Sequence, residues 1–487
     1  MRTVTGRPAR STAGPMAPPL AGQARFTLAL AAGKAAGAAS RALRAGGGTN
    51  CVGKVAMRID PGVLRKVATA SAARTVIVTG SNGKTTTCRM LAALASAGGL
   101  RVAQNRTGSN LLPGVVSAAV RGTGLRGRVD AQLMLLEVDE ATVRLVAPEL
   151  PPEVFLITNI FRDQLDRFGE LYAMARGLEA VIEALPASAT VVLNGDDPLV
   201  ASLAPQAAAR RLFFGIRAGA AGAPAPEHAA DTIRCVRCQH LLSYRAVYLS
   251  HLGDYECPGC GSRRPDLDVA VTSIRPSPDG GSEITVETPA GSYLLPVPLP
   301  GPHNVYNAAA ALAAWTAQPG PRPLQPPDAR RALAGLRPAF GRLEEITAGQ
   351  RRIVLAFVKN PTAYNATLRE VLRRPGRKHV LAAHSNTVVD GEDFAWLWDV
   401  DLEQLAPDLA SLVVSGTRAE EVALRFKYAG ADPAVTRLLP SRTAALQAAL
   451  ETTPPGESLY VFAGYTPMRE LRSSMQRRGW VAPSWKE

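Results

Sequence analysis

"RTVIVTGSNGKTTT" (Arg74–Thr87) decides the architecture. A β-branched run, Arg74 to Gly80, enters a glycine loop, and a helical stretch from Lys84 to about Ala97 follows, stopping at Gly98-Gly99. A loop placed between a strand and a helix start points its backbone N–H groups at one spot, at the positive end of the helix dipole. That arrangement cradles phosphate oxygens. Lys84 is then positioned to reach terminal phosphates, and the Thr85 hydroxyl to ligate Mg²⁺. Gly80, Asn82, Gly83 and Thr86 complete the set of candidate nucleotide-binding positions. The loop departs from the common pattern, which wants glycine where Val78 stands.

Working outward, strand-like runs recur at Leu133–Val138, Val154–Ile160 and Ala189–Leu193, with helical segments between them such as Glu170–Leu185. This rhythm implies a parallel sheet covered by helices. An Ala/Gly/Pro-rich linker (Ala218–Ala230) leads into a cysteine-bearing segment, and a Pro-rich stretch (Gln318–Asp328) marks a boundary. Beyond Leu343 a second α/β alternation begins, with strands near Ile353–Phe357, Val380–Ala383, Leu412–Val414 and Leu459–Phe462. The expected division is a leader over 1–48, a central domain over 49–325 and a C-terminal α/β domain over 330–487.

The cysteine segment reads "CVRCQHLLSYRAVYLSHLGDYECPGC" (Cys235–Cys260). Two Cys-x-x-Cys knuckles 18 residues apart fit a tetrahedral four-thiolate Zn²⁺ site, formed by Cys235, Cys238, Cys257 and Cys260, within an insertion over about 231–266. Four sulfurs fill the coordination sphere and leave no position for water, so the site is structural. His240 and His251 are not needed. Cys51 and Cys88 stand apart, and Cys88 falls where packing is the expected role. A disulfide framework does not suit a long chain with no export signal.

At 487 residues the chain exceeds one ordinary core. No apolar run approaches the roughly 20 residues that cross a bilayer, and the expected location is cytoplasmic. The net charge of +14 is uneven: residues 1–66 hold 11 Lys/Arg against one acid, Asp60. Such a leader suits nucleic acid, an anionic membrane surface or plain solvation. A helix from about Ala24 to Leu43 could rest on anionic head groups, with Ala and Leu on one side and basic residues on the other.

Further clusters carry polar groups at element ends. "LLEVDE" puts Glu137 at a strand's end, where a carboxylate can take Mg²⁺. "TNIFRDQLDRFGE" (Thr158–Glu170), "LNGDDP" (Leu193–Pro198) and "GPHNVYNAAAA" (Gly301–Ala311) follow in order. Singly, each reads as a cap or turn.

Together these motifs, with "GRLEE" (Gly341–Glu345), resemble the Mur ligases, ATP-dependent enzymes of peptidoglycan assembly, from roughly Thr49 to the C-terminus. The resemblance implies an α/β fold, with a P-loop central domain and a Rossmann-like C-terminal domain. It assigns Lys84, Thr85 and Glu137 to phosphates and Mg²⁺, Asn304 and Asn307 to the adenine, and Arg342 to ribose or phosphates. Asp163 is followed by Gln164 where Mur ligases carry Asp-His, which removes one ligand of a second metal. The cysteine ribbon, "FRDQLDRFGE" and "VKNPTAYN" (Val358–Asn365) are similar to the MurT subgroup. That resemblance implies ATP-dependent amidation of the D-glutamate α-carboxylate in lipid II to D-isoglutamine, with ammonia from a glutaminase partner resembling GatD. It further implies that a C-terminal acid completes the partner's Cys–His pair. "AAHSNTVVDGEDFAWLWD" (Ala382–Asp399) offers Asp390, with Asp393 next, although Ser385-Asn386-Thr387 stands where the family has Asn-Asp-Asn; otherwise Asp390 is an Asp-Gly turn. Two alternatives remain: a stand-alone Mur-type or folylpolyglutamate-type amino-acid ligase, and an NTP-dependent nucleic-acid-binding ribbon protein. Few aromatics near the basic residues disfavour the second.

Overall fold

The strand that feeds the glycine loop is apolar on both faces, and the fold uses both. The computed structural model describes residues 20–42, 50–105, 109–162, 171–217, 222–278, 280–318, 324–337, 341–387 and 390–482. In β1 (Arg74–Thr79), Val76 and Val78 enter one core while Ile77 enters the opposite one. Parallel strands buried on both sides need helices on both sides. The helices Lys84–Ala97 and Pro302–Thr316 cover one face; Cys51–Ile59, Leu112–Gly122 and Leu171–Glu183 cover the other.

The central sheet continues with β2 (Val102–Gln104), β3 (Leu133–Glu137), β4 (Val154–Ile157), β5 (Thr190–Asn194) and β6 (Arg210–Ile216). A hairpin of β7 (Ser243–Leu249) and β8 (Leu252–Glu256) stands outside it, and β9 (Val269–Pro276), β10 (Ser282–Thr288) and β11 (Gly291–Val297) complete it. The spatial order is β11-β10-β9-β6-β5-β4-β1-β3-β2, parallel from β2 through β9 and antiparallel at the β9-β10-β11 edge. Because β3 and β4 flank β1, the carboxyl end of β1 sits at a topological switch point, the crevice where such sheets bind ligands.

The second sheet is built from β12 (Arg342–Ala348), β13 (Arg351–Phe357), β14 (Lys378–Ala383), β15 (Leu409–Ser415), β16 (Thr436–Leu438) and β17 (Ser458–Ala463). Its order is β12-β13-β17-β14-β15-β16, parallel except for the β12/β13 hairpin. Polar contacts join the two bodies. Arg162 pairs with Asp231 and with Asp399 (3.1 Å), His228 with Asp401 (2.9 Å) and Arg369 with Glu227 (2.9 Å).

Packing bears on two sequence expectations. The leader helix exists, at Leu20–Ala42; its Phe26, Ala29 and Leu30 are buried in the central core, while its Leu28 is exposed. Gly37 lets it press on the next helix, since a Cβ there would stand 2.6 Å from Val52 Cγ2. The Pro-rich boundary also falls too early. Helix Pro326–Ala334 buries Ala329 and Leu333, an i,i+4 pair, in the central core, so that body continues past 325. Among the described residues, no helix is long and apolar enough to cross a membrane.

Candidate functional site

Glycine is required twice in the loop after β1. Gly80 has φ +121°, and a Cβ there would lie 2.3 Å from Thr158 Oγ1; Gly83 has φ +88°, and a Cβ would lie 2.1 Å from Asn307 Oδ1. The end of β4 braces the loop from behind. Asn82 N–H donates to Asn159 Oδ1 (2.9 Å), while Thr158 Oγ1 (2.8 Å) and Asn159 Nδ2 (3.1 Å) donate to the Asn82 carbonyl. Ser81 Oγ donates to the Phe161 carbonyl (3.1 Å) and accepts from the Phe161 N–H (2.9 Å). Asn307 and Asn304 lie buried beneath: Thr87 Oγ1 donates to Asn307 Oδ1 (3.3 Å) and Asn307 Nδ2 to Asn304 Oδ1 (3.0 Å). Thr86 is buried as well.

The helix that opens here presents its first two side chains to buried acids. Lys84 Nζ donates to the Gly80 carbonyl and pairs with Glu140 Oε2 at 3.1 Å; Thr85 Oγ1 donates to Glu137 Oε2 at 2.9 Å. Asn110 Nδ2 supports the other Glu137 oxygen (3.3 Å). Burial pushes the Glu137 carboxyl up, opposed by Lys84, by the Thr85 hydrogen bond and by Arg342. Burial also acts on Glu140, but the charges of Lys84 and then Lys359 outweigh it and hold that carboxyl below its usual range. Arg342 lies over the Phe357 ring, 5.4 Å from its centroid. A hydroxyl and a carboxylate 2.9 Å apart, beside a lysine at a helix N-terminus, are groups that could hold a nucleotide's Mg²⁺ and phosphates.

The four ribbon cysteines converge. Cys235 and Cys260 sulfurs are 3.6 Å apart, Cys238 and Cys257 3.4 Å, and all four lie within 4.8 Å of one another. A tetrahedron with metal–sulfur bonds of about 2.3 Å has edges near 3.8 Å, so a Zn²⁺ fits. The knuckles share a backbone design. Gln239 N–H returns to the Cys235 carbonyl and Gly261 N–H to that of Cys257, with both returning residues left-handed (φ +62° and +70°). His251 points elsewhere, buried against Phe161 at 4.9 Å between ring centroids. Arg264 ties the ribbon to the central sheet through buried Asp196 (3.0 Å), which also accepts from Tyr306 Oη (2.7 Å).

On the second sheet, Asp390 follows β14 in an Asp-Gly turn, with the N–H groups of Asp390 and Gly391 both donating to the Thr387 carbonyl. Its Oδ2 accepts from Thr387 Oγ1 (2.5 Å), and its Oδ1 accepts the Thr466 N–H (2.9 Å) at the start of helix Tyr465–Arg477. The carboxylate is thus anchored at a helix N-terminus and half-exposed. Asp393 is exposed, and its Oδ1 accepts the Ala395 N–H (2.9 Å), opening a short helical turn. Beside Asp390, His384 is enclosed by Tyr364, Phe394 and Trp396; burial lowers its imidazole to about 3.

A cleft of about 2280 Å³ separates the two sheets' carboxyl ends, lined by Gly83, Lys84, Thr85, Glu137, Arg342 and Asp390 among the sequence-predicted residues. Gly80, Asn82, Thr86, Asn304 and Asn307 sit behind that lining. Asp163 and Gln164 lie outside the described residues. Sequence reasoning missed Glu140, although it is the last letter of the quoted "LLEVDE", and missed Lys359 and His384, whose places depend on the second sheet.

Residues 78–241 match the Mur ligase middle domain and residues 357–468 the MurT ligase C-terminal family. Over 438 residues the chain is 30% identical to the lipid II isoglutaminyl synthase (glutamine-hydrolyzing) subunit MurT of Streptococcus pneumoniae (strain ATCC BAA-255 / R6), covering 89% of this chain and 94% of that one. The subunit of the same name from Staphylococcus aureus (strain N315) is 29% identical over 400 residues, 80% and 86% of the two chains. Among solved structures, a pseudomurein peptide ligase type C from Methanothermus fervidus superposes with a TM-score of 0.65 at 20% identity, covering 83% of this chain and 79% of that one. Mycobacterium tuberculosis folylpolyglutamate synthase complexed with ADP gives 0.60 at 16% identity, covering 88% and 93%. The structural likenesses speak for the fold.

Proposed function

The chain belongs to the MurT family of lipid II isoglutaminyl synthase subunits, and from that premise we propose how its residues divide the work. It is the ATP-dependent, carbon–nitrogen bond-forming subunit of a glutamine-hydrolysing ligase acting in peptidoglycan synthesis. A carboxylate oxygen is a poor leaving group, so the D-glutamate α-carboxylate of the stem peptide must first be activated. Its oxygen attacks the γ-phosphorus of ATP; the bond from that phosphorus to the bridging oxygen breaks, and ADP departs with the electron pair. Ammonia then adds to the acyl carbon, phosphate leaves, and the nitrogen gives a proton to solvent.

The loop from Gly80 to Thr86 cradles the phosphates, and Lys84 neutralises charge on the group in transfer. Thr85 and Glu137 would hold Mg²⁺, which supplies charge neutralisation at the phosphates. Asn304 and Asn307 carry the adenine side through the helix they share, and Arg342 the ribose or phosphates. Cys235, Cys238, Cys257 and Cys260 hold a structural Zn²⁺. Asp390 orients the histidine of a GatD-like glutaminase subunit across the interface. The substrate is lipid II or a related precursor, which places the work at the inner face of the membrane, where the basic leader favours anionic lipid.

One observation carries this reading: Lys84, Thr85 and Glu137 open onto the same cleft as Asp390, so an activating site and a nitrogen-supplying site face one space. The test supplies lipid II, ATP and Mg²⁺ with either ammonium or free amino acids, and follows the stem peptide by mass spectrometry. Conversion of the acid to a primary amide with ammonium supports it. Addition of an amino acid instead would return the chain to the stand-alone ligases.

A further inference from the structure

The turn after β13 reaches out of the C-terminal body toward the glycine loop. Val358 is fully buried, and its N–H is fixed to the Ala463 carbonyl (3.0 Å) at the end of the neighbouring strand β17. Asn360 is buried too. Its Oδ1 accepts the Ala363 N–H (2.8 Å) and so caps helix Pro361–Leu372, while its Nδ2 donates across the domain boundary to Asn82 Oδ1 (3.3 Å). Asn82 is the residue that Asn159 and Thr158 hold in place from behind. Lys359 therefore stands between two immobilised neighbours, one of which touches the phosphate-binding loop itself. It lines the cleft with Lys84, Thr85 and Glu137, and its charge reaches Glu140, the acid paired with Lys84.

Resting on the activity proposed above, we infer that Lys359 is a catalytic residue supplied by the C-terminal body: its ammonium contacts the γ-phosphoryl group during transfer and the acyl phosphate that results. Glu140, with an ammonium from each body nearby, keeps both cations at the loop's edge. A nucleotide's outer phosphate is then met by Lys84 from one body and Lys359 from the other. The β-phosphate depends on the loop's own N–H groups and Lys84, so ADP affinity should not depend on Lys359.

The test uses the full chain in complex with its glutaminase subunit, and Lys359→Gln and Lys359→Arg variants. Hydroxylamine traps the acyl phosphate formed from lipid II and ATP; ADP affinity is measured by calorimetry, and thermal melts report folding. Lys359→Gln should keep ADP affinity within about twofold, melt with the wild type, and lose about 100-fold or more in trapping rate, the scale for removing one charge-stabilising donor. Lys359→Arg should recover part of that loss. A Lys359→Gln variant that traps at the wild-type rate overturns the inference, as does one whose ADP affinity falls in step with its rate or whose melt collapses while Lys359→Arg restores folding alone. A wild-type complex that traps nothing overturns the functional reading, and this inference with it.

Discussion

The loop around Lys84 and the turn around Asp390 both follow a parallel strand, and both open on one cleft, yet they are built to different degrees of completeness. At the loop, the cation and the hydroxyl are each already paired with a buried carboxylate, and Thr158, Asn159 and Asn307 pack on the backbone from the same body. At the turn, a carboxylate is held firmly by Thr387 and by the Thr466 N–H, but its nearest imidazole cannot serve it as a charged partner. His384 lies across Gly464, where a Cβ would stand 3.2 Å from Asp390 Oδ1 and 3.8 Å from His384 Nδ1, and its aromatic enclosure keeps it neutral. One site has its reactive groups within the chain. The other, on the proposed reading, offers an orienting acid to groups supplied from outside.

The largest effect falls where the site is whole. Lys84→Ala should reduce amidation to background with glutamine and with ammonium alike, because the lysine acts on phosphate in both reactions. Retained amidation in either assay would remove the loop from the mechanism. Asp390→Asn should separate the two nitrogen sources. Glutamine-dependent amidation is expected to fall by about 10⁴-fold, the scale for an orienting aspartate in a catalytic triad, with the ammonium reaction unchanged. Equal loss with both sources would place Asp390 in the synthetase site. No loss with either would leave it as a turn and helix anchor, with Asp393 next to test.

Smaller effects concern stability. None of the four ribbon cysteines lines the cleft, so the metal should matter for folding before chemistry. Elemental analysis should find about one Zn²⁺ per chain. Cys257→Ser should lower Tm, by about 2–4 °C for each kcal/mol lost in a domain of this size, while ammonium-dependent amidation persists below the new midpoint. An unchanged Tm in metal-free protein would remove the brace. The smallest effect belongs to His384, whose folded value near 3 lies below the ordinary 6.5. A depressed value stabilises the fold fully above pH 6.5, and that contribution is lost as pH falls toward 3. At pH 5 the loss is about 2 kcal/mol. His384→Phe, which suits the aromatic enclosure, should therefore flatten the acid side of the Tm profile; an identical profile would contradict the neutral imidazole.

The two sites also differ in how far the sequence reveals them. The loop, its helix and the cysteine knuckles are local: every group that defines them lies within a few residues, so spacing alone exposes them. Thr158-Asn159 was legible as a strand end, but its bracing of Asn82 follows from β4 lying beside β1, which no local pattern states. Glu140 is visible as a letter but acquires meaning only when Lys84 reaches it. Lys359 and His384 are less legible still, since their settings are made by β17, about a hundred residues on from Lys359, and by Tyr364, Phe394 and Trp396, which only the folded chain gathers around His384. Which core receives the helices at Leu20–Ala42 and Pro326–Ala334 is hidden for a related reason. Amphipathic spacing identifies a buried face without saying which core receives it.

The comparison is tested most directly by the chain alone, purified without any glutaminase and supplied with lipid II, ATP and Mg²⁺. Ammonium should support formation of the primary amide, glutamine should support none, and adding the glutaminase subunit should make glutamine effective. Amidation of the stem peptide from glutamine by the isolated chain would contradict the account, because both sites would then be complete within it.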